Sequence, residues 1–163
     1  MKKRIKHWIT QIAVMLMTSV LCNAGVFAGN TAVINQSGGG SASIHQSGKG
    51  NSATIVQGRG SGLGKKVRKH LRKGNRAVIQ QEGDHNVARQ TQTGEDNVGL
   101  VSQKGEHNSA SQQQEGKNNL AAAVQEGNDN TAVHSQEGAG NMHTIIELGD
   151  GKSVIVSQSG NNE

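Results

Sequence analysis

The strongest constraint on the fold is a phrase that recurs every eleven residues between Asn75 and Gln158. Each copy has a glutamine, a glycine two residues later and an asparagine three residues after that. The glutamine column is Gln81, Gln92, Gln103, Gln114, Gln125 and Gln136, continuing through Glu147 to Gln158. The glycine column is Gly83, Gly94, Gly105, Gly116, Gly127, Gly138, Gly149 and Gly160. The asparagine column is Asn75, Asn86, Asn97, Asn108, Asn119, Asn130 and Asn141, with Lys152 at its last step. A period this regular predicts a repeat architecture.

Each repeat divides into a seven-residue segment and a four-residue arc. Alternate positions of the segment carry asparagine, a small residue, an apolar residue and glutamine, as in Asn75, Ala77, Ile79 and Gln81. Side chains of a strand alternate between its two faces, so this set shares one face. The glycine lies in the arc, where the chain must reverse. The sequence therefore predicts an all-β fold, a β-solenoid (β-helix) of stacked strand-arc-strand coils.

Two eleven-residue units complete one coil in this prediction. Residues twenty-two apart then stack at about 4.8 Å in parallel, in-register sheets. The content of apolar residues, 32%, is low for a packed core, and the chain has 23 glycines. Such a composition is ordinarily typical of disorder. The periodicity indicates instead that asparagine and glutamine amides satisfy one another along the stack.

Residues 1–28 have the pattern of a cleaved secretory signal peptide. Basic residues precede an apolar run from Ile9 to Leu21, and Val26-Phe27-Ala28 resembles the small-residue motif at which signal peptides are cleaved. A membrane anchor is the alternative interpretation, but the apolar run is shorter than a helix that spans a bilayer requires. A lipoprotein attached through Cys22 is disfavoured by the large Leu21 before it. Cleavage after Ala28 leaves Gly29–Glu163, which has no cysteine and no aromatic residue.

The mature chain is predicted to have three parts, which are a first set of repeats in residues 29–58, a basic insert in residues 59–74 and regular repeats in residues 75–163. Eight of its thirteen Lys and Arg residues lie between Arg59 and Arg76, where there is no acidic residue. Three interpretations of the insert remain open, namely a degenerate coil, a short helix and a solvated loop outside the solenoid. In each case the insert is expected to attract anionic partners, such as cell-surface polymers, nucleic acid or acidic repeats. The residues proposed for this binding are Lys65, Lys66, Arg68, Lys69, Arg72 and Lys73.

The decapeptide Gly29-Asn30-Thr31-Ala32-Val33-Ile34-Asn35-Gln36-Ser37-Gly38 and its relatives resemble the curlin repeat. In that family, Gln-x-Gly-x-x-Asn spacers separate short strands that stack into an amyloid solenoid. The resemblance implies a secreted, self-assembling subunit of curli-like fibres (fimbriae) on the bacterial surface, serving biofilm matrix and adhesion. It also implies partners, which are other curlin-like subunits, a curli-type export channel and chaperones. The chain departs from the family in entering its first repeat directly after the predicted cleavage site, without the usual leader, and in having no Tyr or Phe in its core.

No catalytic or metal motif occurs at a fixed spacing, so the sequence predicts that the chain is not an enzyme and binds no cofactor. Stacking at twenty-two residues does bring His85 and His107 to the same arc position, beside carboxylates of neighbouring arcs. They are a weak candidate for a divalent metal site, and solvated arc residues are the favoured interpretation. On the inner face, His134 replaces an apolar residue and Glu147 replaces a glutamine.

The sequence also predicts that the solenoid polymerises. Repeats run from Asn30 to Gln158, with only Ser159–Glu163 after them, and no proline or capping segment is predicted at either end. Uncapped ends of a stack expose unpaired backbone groups that template another copy. Two alternatives remain, namely a monomeric β-solenoid adhesin and a minor, nucleating fibre subunit that uses the basic insert.

Overall fold

The computed structural model describes residues 20–24, 29–37, 40–58 and 74–161. They form twelve β-strands and, within these ranges, no helix. It follows that no described helix could cross a membrane. The strands are β1 (Val20–Ala24), β2 (Thr31–Gln36), β3 (Gly40–Ser47), β4 (Ser52–Gly58), β5 (Asn75–Glu82), β6 (Val87–Glu95), β7 (Val98–Lys104), β8 (Ser109–Lys117), β9 (Leu120–Glu126), β10 (Thr131–Ala139), β11 (Met142–Leu148) and β12 (Ser153–Asn161).

The strands alternate between two parallel six-stranded sheets. The first sheet, which we call sheet A, has the order β1-β3-β5-β7-β9-β11, and the second, sheet B, has the order β12-β10-β8-β6-β4-β2. Each strand therefore leads through an arc into the opposite sheet, and two strands complete a coil. This arrangement confirms the predicted all-β solenoid with parallel, in-register sheets.

The register confirms the twenty-two-residue coil along the regular repeats. Arg76 pairs with Val98, Val98 with Leu120, and Leu120 with Met142. In sheet B, Val87 pairs with Ser109, which pairs with Thr131. Asparagine, glycine and glutamine thus recur at the same level of every coil, which is why the three sequence columns stay aligned.

The basic insert interrupts one arc and leaves the stack continuous. Gly40 of β3 pairs directly with Asn75 of β5, across 35 residues in place of 22, so that 13 residues are added between β4 and β5. No coil stands between β3 and β5, and the interpretation of the insert as a degenerate coil is therefore wrong. The helix and loop interpretations concern residues 59–73, which lie outside the described residues.

Strand β1 lies within the segment for which a signal peptide is predicted. Its backbone pairs in parallel with β3, from Val20 opposite Ala42 to Ala24 opposite Gln46. Cleavage after Ala28 stays a prediction. In a chain cleaved there, β3 would become the first strand of sheet A.

The core follows from the two-residue alternation of each strand. In β5, the inward residues Asn75, Ala77, Ile79 and Gln81 are buried, and Arg76 and Glu82 point outward and are exposed. The apolar part of the core is a narrow column of alanine, isoleucine and valine, such as Ile55, Ile79 and Val101. Amide side chains flank this column on both sides, because asparagine begins each inner row and glutamine ends it.

The arcs need residues that tolerate positive φ at two points. Each arc glycine adopts φ between +95° and +131°, the values of Gly149 and Gly160 respectively. From Gly83 to Gly138, each also lies against the glycine of the next coil. A Cβ atom on Gly116 would collide with the carbonyl oxygen of Gly138. Two residues later, a second left-handed residue follows, at His85, Asp96, His107, Asn118, Asp129, Gly140 and Gly151. Asn, Asp, His and Gly are the residues that adopt this conformation most readily, so the type of residue in this column follows from backbone geometry.

Gly116→Ala is expected to destabilise the chain by at least about 2 kcal/mol, because the added methyl is strained at φ +120° and collides with the next coil. The matched control is Gly58→Ala, where the nearest atom to the new Cβ is Ser37 Oγ at 4.0 Å. Thermal unfolding followed by circular dichroism measures both variants. Equal melting temperatures for the two variants would contradict the close stacking of the glycine arcs.

Candidate functional site

The glutamine column forms a continuous chain of hydrogen bonds along the stack. In sheet A, the Nε2 atom of Gln81 donates to Oε1 of Gln103 at 2.8 Å, and Gln103 donates to Gln125 at 2.9 Å. In sheet B, Gln92 donates to Gln114 at 2.7 Å and Gln114 to Gln136 at 3.0 Å. The same direction holds from Gln46 to Gln81, from Gln57 to Gln92 and from Gln136 to Gln158. Every described link therefore has its donor on the N-terminal side, so that each ladder has a direction along the stack.

The second N–H of each glutamine ties the two sheets together. Nε2 of Gln92 in sheet B also donates to the backbone carbonyl of Arg76 in sheet A, at 3.0 Å. Nε2 of Gln103 in sheet A donates to the carbonyl of Val87 in sheet B, also at 3.0 Å. Both hydrogens of the amide are thus satisfied in a buried site, where an unpaired donor would be costly. The orientation of the amide is fixed by these two acceptors together.

The asparagine column closes the coil at the start of each strand. The Oδ1 atom of Asn86 accepts from the backbone N–H of Asn108 at 3.0 Å. Its Nδ2 atom donates to the carbonyl of Gly105 at 2.8 Å. The side chain therefore links the start of its own strand to the next strand in the sheet and to an arc glycine. The equivalent bonds recur at Asn51, Asn97 and Asn119, and Asn141 Nδ2 donates likewise to the carbonyl of Gly160.

Glu147 ends the sheet A ladder with a carboxylate. Gln125 Nε2 donates to its Oε2 at 2.6 Å, and the residue is 2% exposed. Its Oε1 atom is buried and has no hydrogen-bond partner in the described structure. An ionised carboxylate only accepts hydrogen bonds, so Glu147 cannot pass a donor to a further coil as glutamine does.

A second, shorter glutamine ladder runs along the stack in the middle of the core, and the sequence patterns did not predict it. Gln90 Nε2 donates to Gln112 Oε1 at 2.9 Å, at a position where other units carry an apolar residue. Gly99, on the opposite sheet, provides the space, because a Cβ there would lie 3.1–3.3 Å from the amides of Gln92, Gln90 and Gln112. The sequence signal that could have revealed this ladder is a glycine, Gly99, half a coil away from a glutamine at the equivalent inner position.

Two histidines meet in the core one coil further along. His134 is 2% exposed, and its Nε2 lies 2.7 Å from Nδ1 of His143 across the sheets. Burial, and to a smaller extent the charge of His143, lowers the pKa of His134 from 6.5 to about 4. Its Nδ1 atom has no hydrogen-bond partner among the described residues. Protonation of His134 therefore destabilises the folded chain.

The arc histidines are brought together as the spacing predicts, but their surroundings do not resemble a metal centre. The rings of His85 and His107 stack with centroids 5.1 Å apart and planes 6° apart. The described residues contain no group of three or more His, Cys, Asp or Glu side chains that could hold a metal ion. The neighbouring acidic side chains have another role, since Asp84 accepts from the backbone N–H of Lys49 and Asp150 from that of Asn128. The six basic residues proposed for anion binding, Lys65 to Lys73, lie outside the described residues.

His134→Gln is expected to make the fold less sensitive to acid. An unfolded chain protonates this histidine below about pH 6.5 and the folded chain only near pH 4, so stability is lost as the pH falls through that window. Glutamine already occupies the same column at Gln90 and Gln112. Melting temperatures at pH 7 and pH 4 should therefore differ by several degrees less in this variant than in the natural chain.

The control for this comparison is His45→Gln, which replaces an exposed, outward histidine of β3 that lies opposite Gln80 and should leave the acid loss as in the natural chain. An identical fall in melting temperature for both variants would show that the His134–His143 pair does not govern the response to acid.

The family model described as "Curlin associated repeat" matches residues 105–138, which begin in the arc before β8 and end in β10. No curated protein matches, and no solved structure matches. The matched segment contains Gln114 and Gln136, which are linked in the sheet B ladder, and Gln125 of the sheet A ladder. The match therefore confirms, for residues 105–138, the resemblance to the curlin-repeat family that the glutamine, glycine and asparagine columns predict.

Proposed function

We propose that this chain is a structural subunit of secreted, curli-like amyloid fibres, in which copies stack end to end. The observation that carries the proposal is the unidirectional hydrogen-bonded ladder, which links glutamines from Gln57 to Gln158 in sheet B and from Gln46 to Gln125 in sheet A. Curlin repeats are associated with structural subunits of extracellular curli fibres, which supports a fibre over an enzyme. Biofilm matrix and surface adhesion are the roles we propose for such a fibre.

The terminal strands of the described stack have the features that a further coil would complete. In β12, the inward Val154 is 36% exposed, whereas Val101 in the middle of the stack is fully buried. At the other end, the inward Ala32 and Ile34 of β2 are only partly buried. A Cβ atom added to Gly160 would have no other atom within 4 Å, whereas a Cβ atom added to Gly138 would collide with Gly160. A second copy stacked in register would bury this surface and pair the edge strands.

The polarity of the ladders favours head-to-tail addition. All described glutamine links donate toward the C-terminal coil, so the two ends of the stack present different hydrogen-bonding groups. An interface between unlike ends is heterologous and produces an open filament, whereas an interface between like ends would close a dimer. The partners we propose are therefore other copies of this chain and other curlin-like subunits.

A minor or nucleating subunit is a second candidate within the same family. The observation that favours it is the inequality of the coils, because one arc carries the basic insert and two rungs carry His134 and Glu147. In this version, the insert would contact anionic cell-surface polymers. The proposed route to the surface, through a curli-type export channel with chaperones, rests on the family resemblance alone.

Incubation of purified Gly29–Glu163 at neutral pH tests the proposal. We expect a sigmoidal rise of thioflavin fluorescence and fibre reflections near about 4.7 Å and 10 Å. A stable monomer with β-rich circular dichroism would contradict the fibre and favour the monomeric adhesin. If fibres form, seeding of a second curlin-like subunit would separate a nucleator from a bulk subunit.

Glu147→Gln is expected to shorten the lag time of assembly, because it restores an amide that can donate both across the core and to the next copy. The matched control is Glu137→Gln, which removes the same charge from an exposed, outward position of β10. Lag times come from the thioflavin assay at several protein concentrations. If both variants shorten the lag equally, net charge explains the effect and the ladder does not.

A further inference from the structure

The outer faces of the two sheets differ in character. Outward residues in sheet B are mainly Ser, Thr and Gln, such as Ser109, Ser111 and Gln113 on β8. Each of the other five strands of sheet B carries one outward Val or Ile, such as Val87 and Ile155. The outward residues at the first three such positions of β7, β9 and β11 in sheet A include no charged residue. Six of them form what we call the apolar face, namely Val98, Leu100, Leu120, Val124, Met142 and Ile146. Met142 and Ile146 are 69% and 64% exposed.

We infer that the apolar face pairs with the same face of a second copy in a neighbouring filament, related by a two-fold axis parallel to the stack. The inference rests on the proposed function, since it adds a lateral contact to filaments that already form end to end. With this axis, the two stacks run in the same direction and the facing strands run in opposite directions.

Side-chain size along the face is complementary under this symmetry. The second outward position of each strand then faces the third outward position of the same strand in the partner copy. Leu100 faces Ser102, Ala122 faces Val124, and Thr144 faces Ile146. Each level thus places a large side chain against a small one, which is how two sheets interdigitate about 10 Å apart.

The charges at the rim select the same axis. Arg76 and Glu82 are exposed at opposite ends of β5, about 20 Å apart, so they do not meet within one chain. The two-fold axis along the stack brings Arg76 of each copy opposite Glu82 of the other. An axis parallel to the strands that set β9 against β9 would instead place Glu126 opposite Glu126. The same axis places Lys104 opposite Val98 and Glu126 opposite Leu120 of the partner copy. There the carbon chains of Lys104 and Glu126 cover the apolar side chains while their charged ends reach water at the rim.

The size of the face makes this pairing dependent on the filament. Strands β5, β7, β9 and β11 cover roughly 19 by 23 Å, so a pair of copies would bury on the order of 900 Å² in total. This area is below the roughly 1,200–2,000 Å² of a stable complex between two proteins. In two filaments the contact repeats along the stack, and each added copy strengthens the pairing without a new kind of contact. Filaments therefore pair laterally, whereas free monomers do not.

The variant Leu100→Thr/Val124→Thr/Ile146→Thr tests the pairing, because threonine keeps the preference for strands and removes the apolar face. The matched control changes three outward apolar residues of sheet B, Val87→Thr/Val133→Thr/Ile155→Thr. Scanning transmission electron microscopy gives the mass per length of unstained fibres, and thioflavin fluorescence gives the rate of seeded elongation. We expect the natural chain and the control to form paired filaments. The sheet A variant should have half their mass per length and an unchanged elongation rate.

Charge variants provide a second measurement should the triple variant fold poorly. Arg76→Glu should lower the mass per length, because it sets a carboxylate opposite Glu82 of the neighbouring copy, and Arg76→Glu/Glu82→Arg should restore it. Single filaments of the natural chain, or paired filaments of the sheet A variant, would overturn the lateral pairing while leaving end-to-end assembly intact. Binding of single filaments to phosphatidylcholine vesicles would overturn it too and assign the face to a lipid surface. Absence of any filament would overturn both proposals.

Discussion

The structure depends on the primary amide of glutamine, which has two N–H groups at a fixed angle and one carbonyl oxygen. One N–H follows the stack and the other crosses the core, as at Gln92, which binds both Gln114 and the backbone of Arg76. The amide thereby satisfies its own buried polar atoms and sets both the distance between coils and the distance between sheets. Asparagine does the same at the strand starts. This explains how a chain with 1% aromatic residues builds an ordered interior.

The same hydrogen bonds restrict which residues can occupy the glutamine position of each strand. A glutamine can be replaced only where the neighbour along the stack and the carbonyl across the core both accept the substitute. Glu147 meets the first condition, through Gln125, but leaves a buried oxygen unpaired. His134, which replaces an apolar residue of the core, is paired with a second histidine, His143, on the opposite sheet. These exceptions, with Lys152 in the asparagine column, lie in the C-terminal coils of the described stack, so the two ends of the solenoid differ chemically.

The sequence predicts well those features that repeat and poorly those that involve two different repeats. The coil length and the inner face follow from columns of single residues such as Gln103 and Asn97. The ladder of Gln90 and Gln112 depends on the absence of a side chain at Gly99, half a coil away, and is visible only once the two sheets face each other. The outer apolar face was missed for the same reason, because consecutive repeats alternate between sheets. The left-handed residues of the arcs required backbone angles, which single-column reasoning does not provide.

The arc between β4 and β5 shows that the length of an arc does not affect the register of the sheets. Thirteen residues are added there, and β3 still meets β5 in register, with Ile44 opposite Ile79 and Gln46 opposite Gln81. The pairing energy of a coil comes from its strands and amides, and a longer closed segment adds only a slowly growing entropic cost. An arc of this solenoid is thus a permissive position, at which new binding sequences can be acquired or grafted while the fibre-forming scaffold stays the same.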